Sequence, residues 1–203
     1  MYYWECYTET MFEYSSNIIQ FLYDKGYRDY SIISHFAAMF QKQNIIEELE
    51  KDNKLDVENA AYGAAEGGHL EYLYEMVKRG FNKWRSIAYY ATQGGHLNLV
   101  NIVLDNYIND QRLIDSIART ASMDEHFDIV KAMVQRGVTP NNITLHDIVY
   151  QCYTRGGKDV ADWIINNTNM TYKDVINRAY DTESPYTEKL IEYGKTGEFN
   201  LFL

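Results

Sequence analysis

Apolar residues recur along this chain at intervals of three and four. Leu70, Leu73, Met76 and Val77 form one stripe, Leu97, Val100, Val103 and Leu104 a second, and Phe127, Val130, Met133 and Val134 a third. That is the period of a helix with one face turned to a core. The stripes close at Gly80, at Asn106-Tyr107 and at Gly137, where glycine or asparagine suits the left-handed residue that ends a helix. No segment alternates over a strand's length. The longest purely apolar runs, such as 36–40, are far shorter than the roughly 20 residues of a membrane-crossing helix.

Each stripe follows the same short phrase. Ala64-Ala-Glu-Gly-Gly-His-Leu-Glu71 returns as Ala91-Thr-Gln-Gly-Gly-His-Leu-Asn98, and more loosely as Ala121-Ser-Met-Asp-Glu-His-Phe-Asp128, at offsets of 27 and 30 residues. The same phase extends upstream through Ile45, Ile46 and Leu49, and before them Ile18, Ile19 and Leu22. It extends downstream through Val160, Trp163, Ile164 and Ile165, and then from Pro185 through Leu190 and Ile191. One domain over 1–203 is therefore expected, with units near 1–26, 27–53, 54–80, 81–107, 108–137, 138–167 and 168–194 and a short tail, 195–203. Each unit holds a short first helix, predicted at Val57–Glu66, Trp84–Gln93, Leu113–Ser122, Ile143–Thr154 and Thr171–Asp181, and then the striped helix. The expected fold class is an all-α helical repeat solenoid of about seven helix pairs.

The phrase Ala-Ala-x-Gly-Gly-His-Leu-Glu, followed by an apolar helix and Arg79-Gly80, resembles the ankyrin repeat. The likeness is close over 60–80 and 87–106 and looser over 117–137. The chain is also similar in style to the degenerate ankyrin proteins of giant DNA viruses. It departs from an ankyrin unit of about 33 residues: the commonest period is 27, and the Thr-Pro-Leu-His opening is missing from the best-matching units. The connections between pairs, such as Gly80 to Trp84, leave room only for tight turns, so the long fingers of ankyrin arrays are not expected.

Charge narrows the partners. With 29 acidic and 19 basic residues the net charge is −10, and no Lys/Arg cluster is present, so neither nucleic acid nor an anionic membrane is an expected partner. Cys6 and Cys152 are the only cysteines, too few for a disulfide framework, and the start of the chain has no signal-peptide pattern. A reducing intracellular compartment such as the host cytoplasm is expected, with a virus particle as the alternative.

Candidate chemistry resolves mostly into structure. His69, His96 and His126 hold one position in successive units. Stacked helices stand about 8–10 Å apart, whereas zinc ligands lie about 2 Å from their ion, so no metal is expected there. The resemblance implies instead that these histidines bond the turn between helices, within a signature of Gly68, His69, Gly95, His96, His126 and Gly157. The glycine pairs join two helices and lack the strand and lysine of a phosphate loop. His146 and Cys152, six apart in one predicted helix, do not share a face. No catalytic residue and no cofactor is expected, and the acidic run Glu47-Glu48-Glu50-Asp52 reads as a solvated face, with a landing surface for a basic partner as the alternative.

The expected function is recognition of a host or viral protein. The resemblance implies a concave face lined by each first helix, here Phe36, Met39 and Phe40, then Glu66, then Tyr90 and Gln93, then Thr120 and Met123, then Arg155. Aromatic and methionine side chains are favoured at interfaces. Phe36 and Phe40 have the alternative of filling the core. Viral ankyrin proteins often end in a ligase-recruiting segment, and nine residues after Gly194 leave no room for one. The alternative function is a structural or virion component that self-associates through its aromatic termini, Tyr2, Tyr3, Trp4 and Tyr7 at one end and Phe199 to Leu203 at the other.

Overall fold

The computed structural model describes residues 17–181, together with 188 and 191. The N-terminal aromatics, Cys6, the Pro185 helix and the 195–203 tail lie outside the described residues. Among those described, the protein is all-helical, with no strand. A helix α1 covers 17–24. It is followed by α2 (Tyr30–Met39), α3 (Gln43–Lys51), α4 (Val57–Glu66), α5 (Leu70–Lys78), α6 (Trp84–Gln93) and α7 (Leu97–Tyr107). Then come α8 (Gln111–Met123), α9 (Phe127–Gln135), α10 (Asn142–Thr154), α11 (Lys158–Asn167) and α12 (Tyr172–Asp181). The chain divides into two compact units, residues 1–103 and 104–203.

The helices alternate between two ranks, and the ranks begin differently. The first-rank helices α2, α4, α8 and α10 start on Asp29, Asp56, Asp110 and Asn141, whose side chains accept from the backbone N–H three residues on, at 3.2, 3.0, 3.2 and 3.0 Å. Such caps satisfy donors that the first turn leaves unpaired. Among α2, α4, α6, α8 and α10, α6, preceded by Lys83, lacks this cap. The second-rank helices α3, α5, α9 and α11 start without a side-chain cap on Lys42, His69, His126 and Gly157. Each follows a left-handed residue: Gln41, Gly68, Glu125 and Gly156, with Gly95 in the same place before α7. That conformation turns the chain back in two residues. The predicted stops at Gly80 and Gly137, and the unit ends Gly26 and Asn53, are left-handed too, whereas Asn106 and Tyr107 are not and belong to α7 itself, and α11 closes on an extended Thr168.

In unit one, α2 packs on α3 and α4, and α4 on α5 and α6. The first-rank helices bring alanines to these contacts: Ala37, Ala38, Ala60, Ala61, Ala64, Ala65, Ala88 and Ala91 are all buried. Small residues let backbones approach, and at Gly63 the approach is closest, since a Cβ there would lie 1.9 Å from the His35 carbonyl oxygen. The second rank supplies the bulk, with Ile45, Leu49, Leu73, Met76, Val100 and Val103 buried. In unit two, α8 packs on α9 and α10, α10 on α11 and α12, and α9 on α11. Its core holds Ile117, Ile129, Met133, Ile148 and Ile164. Polar ties between first-rank helices recur at a similar separation in both units: Ser31 donates to Asp56 at 2.8 Å and Lys83 to Glu58 at 2.5 Å in the first, and Arg119 to Thr144 at 3.0 Å in the second.

Candidate recognition surface

The glycine–glycine–histidine phrase works between neighbouring pairs. The Nε2–H of His69 donates to the Met39 carbonyl at 2.8 Å, and that of His96 to the Glu66 carbonyl at 2.8 Å. Each acceptor closes the first helix of the preceding pair, about 30 residues earlier. So the bond runs to the turn of the pair before, rather than to the histidine's own turn. The first glycine makes room for it: a Cβ on Gly67 would sit 2.5 Å from the Met39 oxygen, and one on Gly94 2.0 Å from that of Glu66. The second, Gly68, is left-handed, and a Cβ on it would meet the His96 ring at 2.6 Å. Gly157 holds the helix-start place of the histidines, with Gly156 in the left-handed place. Among the described residues no group of three or more His, Cys, Asp or Glu converges for a metal ion. His96→Ala is expected to lower stability by about 1 kcal/mol, by removing one partly buried hydrogen bond. A chelator is expected to leave the urea midpoint of the wild-type protein unchanged, and a shift on chelation would contradict the structural role of the histidine.

The exposed side of the first-rank helices in unit one carries the stripe expected from the sequence, with additions. None of Phe36, Met39, Phe40, Glu66, Tyr90 and Gln93 is fully buried; Phe36 is exposed, while half-buried Phe40 packs against the core of Ile33, Ala37, Ile45 and Ile46. The Phe36 and Phe40 rings stack at 6.0 Å. Glu66 accepts from His35 Nε2 at 2.9 Å. The Tyr90 ring stacks on Tyr62 at 4.7 Å, and lies 5.6 Å from His35 and 5.5 Å from Tyr89. One cluster thus joins α2, α4 and α6. His35, Tyr62 and Tyr89 escaped the sequence reading, although they fall 27 residues apart, in the same register as Met39, Glu66 and Gln93.

Two phenols of this cluster, Tyr62 and Tyr90, are held protonated. Burial raises Tyr90, with the nearby Glu66 charge adding to it, and burial and the bond to Glu58 raise Tyr62. Glu58 accepts from Lys83 and from the Tyr62 hydroxyl at 2.6 Å, and these bonds lower its pKa. The tyrosines are therefore hydrogen-bond donors on apolar rings. In unit two, Thr120 is half-buried, while Met123 and Arg155 are exposed, and the Arg155 guanidinium donates to the Met123 carbonyl at 2.8 Å.

The acidic run is tied down locally, Glu48 by the Tyr23 hydroxyl at 2.8 Å, Glu50 by Arg79 at 2.7 Å and Asp52 by Lys54 at 3.0 Å. Cys152 is fully buried, and burial pushes its thiol up to about 12, so it is no thiolate nucleophile at neutral pH. A cleft of about 710 Å³ in unit two is lined by His146, Asn167, Asn169 and Asp174 among others. Asp174 serves the start of α12 there, accepting from the Thr171 hydroxyl at 2.7 Å and its N–H at 2.8 Å, which lowers its pKa. No helix among the described residues is long and apolar enough to cross a membrane. No family model, no curated protein and no solved structure matches the chain.

Proposed function

We propose that this chain is an ankyrin-like repeat protein with shortened connections that binds another protein, without catalysis, in a reducing compartment. The observation that carries this reading is the ring cluster on α2, α4 and α6. Phe36 and Tyr89 are 38% and 42% exposed beside the stacked pair Tyr62 and Tyr90. Large apolar side chains left in water on adjoining helices favour burial against a partner, and rings held by their neighbours lose little freedom on binding. The Gly-Gly-His bonds between pairs support the ankyrin likeness, because each histidine locks one pair to the last. A host or viral partner is the reading that the viral style favours.

The test compares surface variants rather than core ones. Tyr90 supports Tyr62 and His35, so its removal disturbs the fold as well as the face, and Tyr89 is the cleaner probe. Immobilised wild-type protein captures its partner from infected-cell lysate for identification by mass spectrometry. Binding of that purified partner is then measured. Tyr89→Ala is expected to weaken it by about 1–2 kcal/mol, near tenfold, with the melting point held. Full affinity in a Phe36→Ala, Tyr89→Ala double variant would remove this face from the reading.

A further inference from the structure

The ring cluster of unit one holds hydrogen-bond donors that the described chain does not use. The Tyr62 hydroxyl donates to Glu58 at 2.6 Å. The hydroxyls of Tyr89 and Tyr90 make no hydrogen bond to another described residue. Tyr90 is half-buried, and its ring is fixed on that of Tyr62. Burial and the neighbouring Glu66 charge keep its phenol protonated, so it presents a placed donor with no acceptor. Beside it, one oxygen of Glu66 accepts from His35 and the other is unbonded. Lys83 is spent on Glu58, and Arg85 sits one turn nearer the start of α6 than Tyr89. The end of the face that carries Glu66 therefore asks for a positive charge.

Free donors on exposed rings select among the forms a partner segment can take. An α-helix uses its carbonyls internally and has none to give to two phenols. Strand addition needs a sheet edge, and no strand is present among the described residues. A polyproline II segment makes no internal hydrogen bonds, so its carbonyls stay open as acceptors, and its prolines dock on aromatic side chains. The spacing agrees. The His35 ring lies 5.1 Å from Phe36 and 5.6 Å from Tyr90, so the two outer rings stand no further apart than those contacts laid end to end. One polyproline II turn of three residues advances about 9 Å.

We propose that this face binds a proline-rich segment in the polyproline II conformation. Prolines three residues apart sit on Phe36 and Tyr90, carbonyls of the segment accept from the Tyr89 and Tyr90 hydroxyls, and an arginine or lysine beside the prolines reaches Glu66. The inference rests on the binding reading above and names the class of the partner. The net charge of −10 on the chain draws the same basic segment, because opposite charge speeds encounter.

Fluorescence anisotropy with the full-length protein tests this, using a labelled peptide of three Pro-Pro-Ala repeats closed by Arg-Ala-Arg. One control keeps the arginines and has alanine for every proline. Another is a leucine-striped helical peptide of the same charge. The proline peptide is expected to bind at least tenfold more tightly than either. Tyr89→Phe combined with Tyr90→Phe keeps both rings and their stacking, so the melting point is expected to hold while the proline peptide loses about tenfold. Glu66→Gln still accepts from His35 and is expected to flatten the salt dependence of binding. Equal binding of the proline and alanine peptides, or tighter binding of the helical one, would overturn the inference. So would full affinity in the Tyr89→Phe, Tyr90→Phe variant, or an unaltered salt dependence in Glu66→Gln. If any of these occurs while Tyr89→Ala still weakens the partner captured from lysate, the proline class falls and the binding reading stands. A captured partner indifferent to the Phe36→Ala, Tyr89→Ala double variant removes both.

Discussion

Gly63→Ala is expected to destabilise unit one by about 3 kcal/mol, although alanine is the better helix former by about 1 kcal/mol. The sign is the informative part. Gly63 lies inside α4, where replacing glycine with alanine ordinarily stabilises. Here the new methyl would sit 1.9 Å from the His35 carbonyl oxygen, 2.7 Å from its carbon and 3.1 Å from its Cα. All three are backbone atoms of α2, so no side chain can swing aside, and α2 has to move from α4 as a body. That movement would strain the His35–Glu66 bond and the buried alanines between the helices. Gly80→Ala is the control. Gly80 is left-handed at φ +103° with no atom within 4 Å of a Cβ, so alanine there costs only about 1 kcal/mol, by backbone strain. Urea unfolding of the two variants, read from the helical signal, separates them. Equal or smaller loss at Gly63 would mean that α2 and α4 are not packed backbone to backbone.

Most of the helical framework is legible in the sequence, because helix period and stop residues are local signals. Val57–Glu66 and Trp84–Gln93 fall where the pattern predicts them. Helix α8 begins two residues before its predicted start and ends one after, at Gln111–Met123. Its missed beginning follows from Asp110, whose capping role is a local signal too. Asp29 and Asp56 stand 27 residues apart and Asp110 two such steps further on, with Lys83 between, and they could have been read as a column of caps.

The candidate surface was half legible. Counting back from the histidines finds Met39, Glu66 and Gln93, since the period of 27 carries them. It does not show that the Met39 and Glu66 carbonyls accept from the next pair's histidines, because that acceptor lies about 30 residues from its donor and depends on how pairs stack. Tyr62 was hidden for a similar reason. In its own helix it is one tyrosine among 19 in the chain, and only the approach of α6 sets Tyr90 on its ring. Aligning by glycine pairs also misplaces Gly157, which stands in the histidine's place.

In unit two, Asp162→Ala is expected to cost about 3 kcal/mol, and most of that loss should come from what it strands. One Asp162 carboxylate oxygen accepts from the Tyr153 hydroxyl at 2.5 Å and the Tyr172 hydroxyl at 2.9 Å, and the other from Lys158 at 2.6 Å. Tyr153 is fully buried, and burial together with the bond to Asp162 pushes its phenol well above the usual tyrosine value. That hydroxyl has no route to water and shares Asp162 with the Tyr172 hydroxyl, its other side-chain partner, so loss of the carboxylate leaves two phenols with one bond between them. Asp162 itself keeps 23% of its side chain exposed, which holds the loss below that of a wholly buried charge. Tyr153→Phe alone should cost about 1 kcal/mol, because the carboxylate keeps Tyr172 and Lys158. Joining the two substitutions removes the stranded hydroxyl along with its acceptor, so the double variant should lose about 2 kcal/mol rather than the sum of 4. A double-mutant cycle by urea unfolding reads the difference directly. Additive losses would show that the tyrosine finds another acceptor once the carboxylate is gone. Coupling of about 2 kcal/mol would instead tie the end of α10 to α11 and α12 through one carboxylate. This tie differs from the Gly-Gly-His bonds of unit one: it joins α10 and α11 to the helix that follows, whereas the carbonyl that closes α8, that of Met123, accepts from Arg155.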